Sequence, residues 1–319
     1  MSLSSALVYD RILDATAISH MVVKIFTLVI VIRHTPPNMR YLSMFLLNGL
    51  LWNFGANLVF TVMHFYPTYP SECFRVGGIL SELSSELFGH AMMLLLFVCI
   101  VNCAIALTAT FCYRYLLFRF KLKPQRSIVF WSVMHLFATI CTVFLYSCWT
   151  VPKARYPIQD ELSSNELFCL DPHGVWKTAA LSAFLGVVMS TVFFAFMFSF
   201  LLLRSIKEKK NVMHKKLLDR HRNILWTLIT TASVPLLFAA MPLTVAIVTV
   251  FAPRLPYARE ICVSCIVVIA NHGTLYSFVL ICAIQPYREA ARRLLSKAIC
   301  SQDGNISKVS KTMFLPRSL

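Results

Sequence analysis

The sequence predicts an all-α membrane protein: a seven-transmembrane helix bundle with its N-terminus outside. Three observations predict it. Hydrophobic residues make up 58% of the 319 residues and charged ones only 14%, against roughly 45–50% and about 25% in ordinary soluble domains. The apolar residues gather in seven stretches, each near the roughly 20 residues that cross a bilayer core. The basic residues gather in alternate connections between those stretches, as the positive-inside rule requires. A soluble domain of this length cannot bury so much apolar surface in one core. That excludes a soluble enzyme, a disordered chain and a nucleic-acid-binding module.

The spans fall at about 12–32, 41–63, 84–113, 127–150, 175–203, 223–250 and 261–284. The first is interrupted by Asp14, His20 and Lys24. Lys24 lies about two turns from the inner end, and its ammonium is expected to snorkel to the interface. No small-residue cleavage site follows the short N-terminal stretch, so this helix is expected to act as its own insertion signal. In the sixth span, Pro235 and Pro242 are expected to free backbone carbonyls and kink the helix.

The net charge of +16 follows from topology. The connections after spans one, three and five, with the tail after span seven (285–319), carry 22 of the 30 lysines and arginines and only four of the 14 acids. That face is therefore cytoplasmic, next to anionic lipid. Residues 1–319 read as one transmembrane domain and its tail, because loops are short and no linker or fixed-period repeat interrupts them. Pro286 to Ile299 alternates arginines with leucines and alanines, the pattern of a short amphipathic helix on the inner interface. Cys300 follows it as a candidate palmitoylation site or a plain tail cysteine.

Most of the 11 cysteines lie inside spans, where a thiol behaves as a small hydrophobe. Cys73 and Cys169 instead fall in outer connections, in an oxidising compartment. We expect them to form a disulfide tying the long outer loop to the top of the third helix. The alternatives are two unpaired thiols or a Cys262–Cys265 pair, whose spacing on a helix is poor disulfide geometry. No cysteine and histidine pattern suits zinc, and no catalytic constellation or cofactor motif is present.

Polar residues inside spans are the candidates for function. Glu82, Glu86 and His90 recur every four residues near the top of the third helix, which places them on one face. Glu86 and His90 line a ligand pocket or form a solvated helix top; Glu82 favours solvent. Asn102 and the Asn271–His272 pair lie deeper, where bridging helices is the commoner role and ligand contact the alternative.

Several motifs together resemble the nematode serpentine chemoreceptors of the Str-type superfamily, seven-transmembrane G-protein-coupled receptors. They are Thr35-Pro36-Pro37-Asn38-Met39 after the first span, Phe111-Cys112-Tyr113-Arg114-Tyr115 ending the third, Asn271-His272-Gly273 in the seventh, and Pro286-Tyr287-Arg288 after it. The resemblance covers about residues 10 to 295 and is greatest to class d (Srd), with classes h and i as close competitors. It implies a chemosensory receptor in the plasma membrane, in the cilium of chemosensory neurons. A small odorant or pheromone-like ligand is bound in the bundle, and a heterotrimeric G protein couples at the inner face. A homo- or hetero-oligomer is compatible with it. Arg114, beside Tyr113 where the commoner receptors carry an acid, would bond within the bundle at rest and turn to the G protein on opening. Lys209 and Lys210 offer electrostatic contact to that partner or to lipid, with solvated charge as the plain alternative. A ligand-gated channel or transporter is the rival reading, although no inverted repeat is visible.

Overall fold

The computed structural model describes residues 3–69, 71–80, 85–120, 124–151, 167–210 and 214–297. Among these, seven helical segments are long and apolar enough to cross a membrane. Helix α1 (Leu3–Arg33) stops where Pro36 adopts an extended conformation, and a 3-10 turn at Pro37–Met39 leads into α2 (Arg40–Val62). The two prolines explain the break, since each lacks an N–H and biases its predecessor away from the helix. Helices α3 (Glu86–Phe120), α4 (Pro124–Trp149) and α5 (Val175–Glu208) follow. With 35 residues, α3 is about 52 Å long and overshoots the bilayer core.

The sixth span is composite. Helix α6 (Lys215–Pro235) passes into a π-helical turn, Leu236–Ala240, and then into α7 (Met241–Phe251). Pro235 cannot donate to the carbonyl four residues back, and the widened turn follows it directly. Helix α8 (Ala258–Ala283) is the seventh span. A last helix, α9 (285–297), covers most of the expected amphipathic stretch.

Helix α3 is the axis of the bundle, packing on α2, α4 and α5, while α8 packs on α1, α6 and α7. Helix α4 turns much of its side-chain surface outward: Phe130, Leu136, Phe137, Ile140 and Phe144 are each more than half exposed. Such an apolar stripe marks a face solvated by lipid.

One end of the bundle carries an element absent from the sequence reading. Strands β1 (His64–Thr68), β2 (Cys73–Gly77) and β3 (Leu167–Cys169) form an antiparallel sheet in the order β1-β2-β3. Cys73 pairs directly with Cys169 in the β2–β3 register, and the two are disulfide-bonded. The bond therefore ties the long loop to a hairpin between α2 and α3, not to the third helix itself. The reason is distance along the chain: Cys73 lies well before Glu86, where α3 begins.

Lys24 also departs from expectation. It is 2% exposed and points into the bundle instead of snorkelling. Its ammonium donates to both the backbone carbonyl (2.9 Å) and the side-chain oxygen of Asn53 on α2. Partners inside the bundle remove the reason to reach the interface.

Candidate functional site

Beneath the sheet lies a cavity of about 160 Å³. Its walls come from Phe60 on α2, Phe97 on α3, Tyr146 and Trp149 on α4, Phe184 on α5 and Ile247 on α7, with Phe65 and Phe74 of the hairpin above. The aromatic rings interlock. Phe97 lies 5.1 Å from Phe184 and 5.8 Å from Tyr146, centroid to centroid. Such tilted and edge-to-face pairs add stability beyond the area they bury.

The roof is built around Phe168, which is fully buried. It stacks on Phe74 at 5.6 Å and meets Phe65 and His90 edge-on at 6.0 and 5.0 Å. Gly89 on α3 makes room for it, since a Cβ there would sit 2.5 Å from the Phe168 ring. Two polar anchors fix the sheet to the helices. Trp149 donates its indole N–H to the Asp171 carbonyl at 3.0 Å. Lys177 of α5 pairs with Glu72 of the hairpin turn and also donates to the Pro172 carbonyl at 3.2 Å. Burial raises the Glu72 carboxyl above the ordinary range, and the Lys177 contact opposes that shift. On α1, Tyr9 donates to the Phe65 carbonyl at 3.1 Å, and Asp10 lies 3.1 Å from the His64 ring.

None of the polar residues proposed from sequence lines this cavity. Glu86 sits half-buried in the first turn of α3. His90 stands behind the wall, with Nδ1 2.9 Å from the Tyr146 hydroxyl. Glu82 lies outside the described residues. Asn102 is spent on bridging helices: it donates to Thr139 at 2.9 Å and accepts from His135 Nδ1 at 2.6 Å, while His135 Nε2 accepts from Asn48 at 2.8 Å. That chain joins α2, α3 and α4. His272 accepts from Asn53 at 2.8 Å and donates to the Ile269 carbonyl. It borders a second cavity of about 80 Å³ deeper in the bundle. Fixed polar residues carry these helix contacts, so the cavity wall is left to apolar ones, which carry no distinctive sequence signal.

The opposite end holds the basic residues. Arg114 is buried and its Nη2 lies 2.8 Å from His221 Nδ1, linking α3 to α6. The adjacent Tyr113 does not face outward. It is buried and stacked on Phe45 of α2 at 4.6 Å. Lys209 donates to the Phe118 carbonyl at 3.2 Å and covers the Phe118 ring at 4.8 Å. Lys210 follows it in an exposed turn. The Tyr287 hydroxyl donates to Ser43 at 3.1 Å and lies 3.0 Å from Thr35. Two sequence motifs, one after the first span and one after the seventh, therefore meet in one buried cluster. Cys300 lies outside the described residues. Among the described residues, no group of His, Cys, Asp and Glu is placed to hold a metal ion.

The family model described as serpentine type 7TM GPCR chemoreceptor Srh matches residues 4–297. The motif resemblance had put class d first, with classes h and i as close competitors; the match is to class h. No curated protein matches the chain.

Proposed function

Because the chain belongs to the serpentine type 7TM GPCR chemoreceptor family Srh, we propose that it is a chemosensory receptor that holds a small apolar ligand under the sheet and signals to a heterotrimeric G protein at the basic end. The observation that carries this reading is the aromatic-lined cavity at one end of the bundle, opposite the Arg114–His221 contact at the other. The distribution of basic residues supports an outward-facing sheet and a cytoplasmic α9. The plasma membrane of a sensory cilium is the site that family membership favours.

The mechanism is a shift between two arrangements. At rest, Arg114 holds α6 against α3. A ligand that fits the cavity better when the sixth span swings outward favours the open state. The π turn at Leu236–Ala240 is the natural point for that swing. Opening parts Arg114 from His221 and frees the guanidinium to contact the G protein, with Lys209 and Lys210 adding charge at the rim.

The test is second-messenger output and membrane current in cells expressing the chain, with and without G protein, across a panel of small odorants. The expected result is a response that needs the G protein and falls at least about tenfold in Arg114→Ala at equal surface level. A ligand-evoked current that persists without G protein would overturn the reading in favour of a channel.

A further inference from the structure

The two cavities are neighbours. Ile100 on α3, Leu243 on α7 and Ile269 on α8 border both. These aliphatic side chains stand between a space of about 160 Å³ and a further one of about 80 Å³. The upper space alone is of the size that holds a single benzene ring in an engineered apolar cavity. The deeper one adds half as much again, and the π turn forms part of its wall through Leu236, Ala239 and Ala240.

Several polar groups along this column have donors already engaged: Asn53 donates one amide N–H to His272, Trp149 its indole N–H to Asp171, and His272 its ring N–H to Ile269, while the Tyr69 and Tyr146 hydroxyls bond to Thr249 and His90. Thr142 and Thr191 donate their hydroxyl protons to the Ala138 and Val187 carbonyls, at 2.8 and 2.9 Å. Their oxygen lone pairs remain as acceptors. Glu72 is the one Asp, Glu, Lys or Arg among the described residues bordering either cavity, and it is paired with Lys177; His272, which borders the deeper one, is held between Asn53 and Ile269. A free carboxylate brought into this space would be desolvated without a partner, which is costly.

Resting on the proposed function, we infer that the two cavities form one elongated ligand site, whose deeper half selects uncharged, chain-like molecules bearing a hydroxyl group. Short or ring-sized ligands occupy the upper half alone. Longer ones push past Ile100, Leu243 and Ile269 and gain burial for each methylene.

Thermal unfolding of the purified full chain in nanodiscs tests this, with 1-butanol to 1-octanol, their methyl ethers, the corresponding carboxylates and toluene as probes. For wild type, apparent affinity is expected to rise about tenfold for every two methylenes up to the length of the column. The ethers are expected to bind about tenfold more weakly than alcohols of equal length, and the carboxylates to give no stabilisation. Ala239→Phe fills the deeper cavity and should match wild type on 1-butanol and toluene but gain nothing from longer chains. Ala104→Phe fills the same space from α3 and replaces it should Ala239→Phe not fold. Ala180→Phe fills the upper cavity and should lose the whole series. A parallel rise in Ala239→Phe and wild type through 1-octanol would overturn the inference, as would stabilisation of wild type by toluene but by no alcohol. Both leave the upper site standing. Loss of specific stabilisation by every probe, or an Ala180→Phe response equal to wild type, would overturn the proposed ligand site itself.

Discussion

The two ends of the bundle are held together in different ways. At the sheet end, a disulfide, a three-stranded ladder, a buried ion pair and interlocked rings fix the hairpin to the helices. At the basic end, the helices meet through hydrogen bonds, a cation over a ring and an exposed ion pair, as at Arg114–His221, Lys209–Phe118 and Arg119–Glu208. The difference teaches which end moves. A covalent and paired cap preserves the shape of a cavity, whereas single hydrogen bonds are worth little net and exchange readily for others. On the proposed reading, a receptor of this design would recognise ligand with its stiff end and respond with its loose one.

The comparison is broken most severely by removing the disulfide. The bond closes a 96-residue separation, and Cys73→Ala is expected to cost about 4 kcal/mol. The measurement is thermal unfolding and surface delivery; an unchanged midpoint would mean the ladder alone holds the cap. Next comes Lys177→Met, which leaves Glu72 buried without its cation and is expected to cost about 3 kcal/mol. The Glu72→Gln/Lys177→Met double variant should recover most of that. The pH dependence follows from the raised Glu72 carboxyl. In Lys177→Met the proton is held more tightly in the folded state than in the unfolded one. Stability is therefore greatest below the ordinary carboxylate range and declines as pH rises through the raised value. Unfolding midpoints of this variant across that range check the sign.

Smaller in effect, Gly89→Ala should cost about 2 kcal/mol, because the new methyl meets the buried Phe168 ring and overpacks the roof. Unfolding of the variant with and without a compensating Phe168→Leu separates this clash from a loss of helix backbone freedom. The mildest change sharpens the loose end. His221→Phe keeps a ring beside Phe118, 4.9 Å away in wild type, but removes the ring nitrogen that Arg114 meets at 2.8 Å. Basal signalling is expected to rise about tenfold with little change in unfolding midpoint; equal basal output would assign the resting restraint elsewhere.

The spans were legible because a bilayer allows no ambiguity: each crossing needs a long apolar run, and the charges between them set the sides. The sheet was not. Its strands are five, five and three residues long, too short for a period to emerge, and β1 is buried along most of its length, so it lacks the polar and apolar alternation of a half-exposed strand. The candidate site was legible least of all. Glu86, His90, Asn102 and His272 drew attention as polar groups in apolar helices. Such groups first satisfy their own hydrogen bonds in a medium without water. Asn102 and His272 do so across helices, and the cavity is walled by phenylalanines that resemble any other lipid-facing residue in sequence. Lys24 was visible as a charge, but its burial depended on Asn53 standing opposite it on another helix. Arg114 was found by its place in a motif; its partner His221 was not.

The π turn at Leu236–Ala240 sets a phase. Each residue of a regular helix advances the side-chain direction by about 100°, and a wide turn takes up one residue more than a regular turn does. Everything beyond it, including Leu243 and Ile247 on the cavity wall, points where it does because that surplus residue is absorbed. Were the turn to regularise with every residue kept, α7 would rotate by roughly 100° and the wall would be read from a different column of the same sequence. Deleting Leu237 would instead remove the surplus and leave α7 facing as it does, so the phase of the wall depends on the turn and its extra residue together.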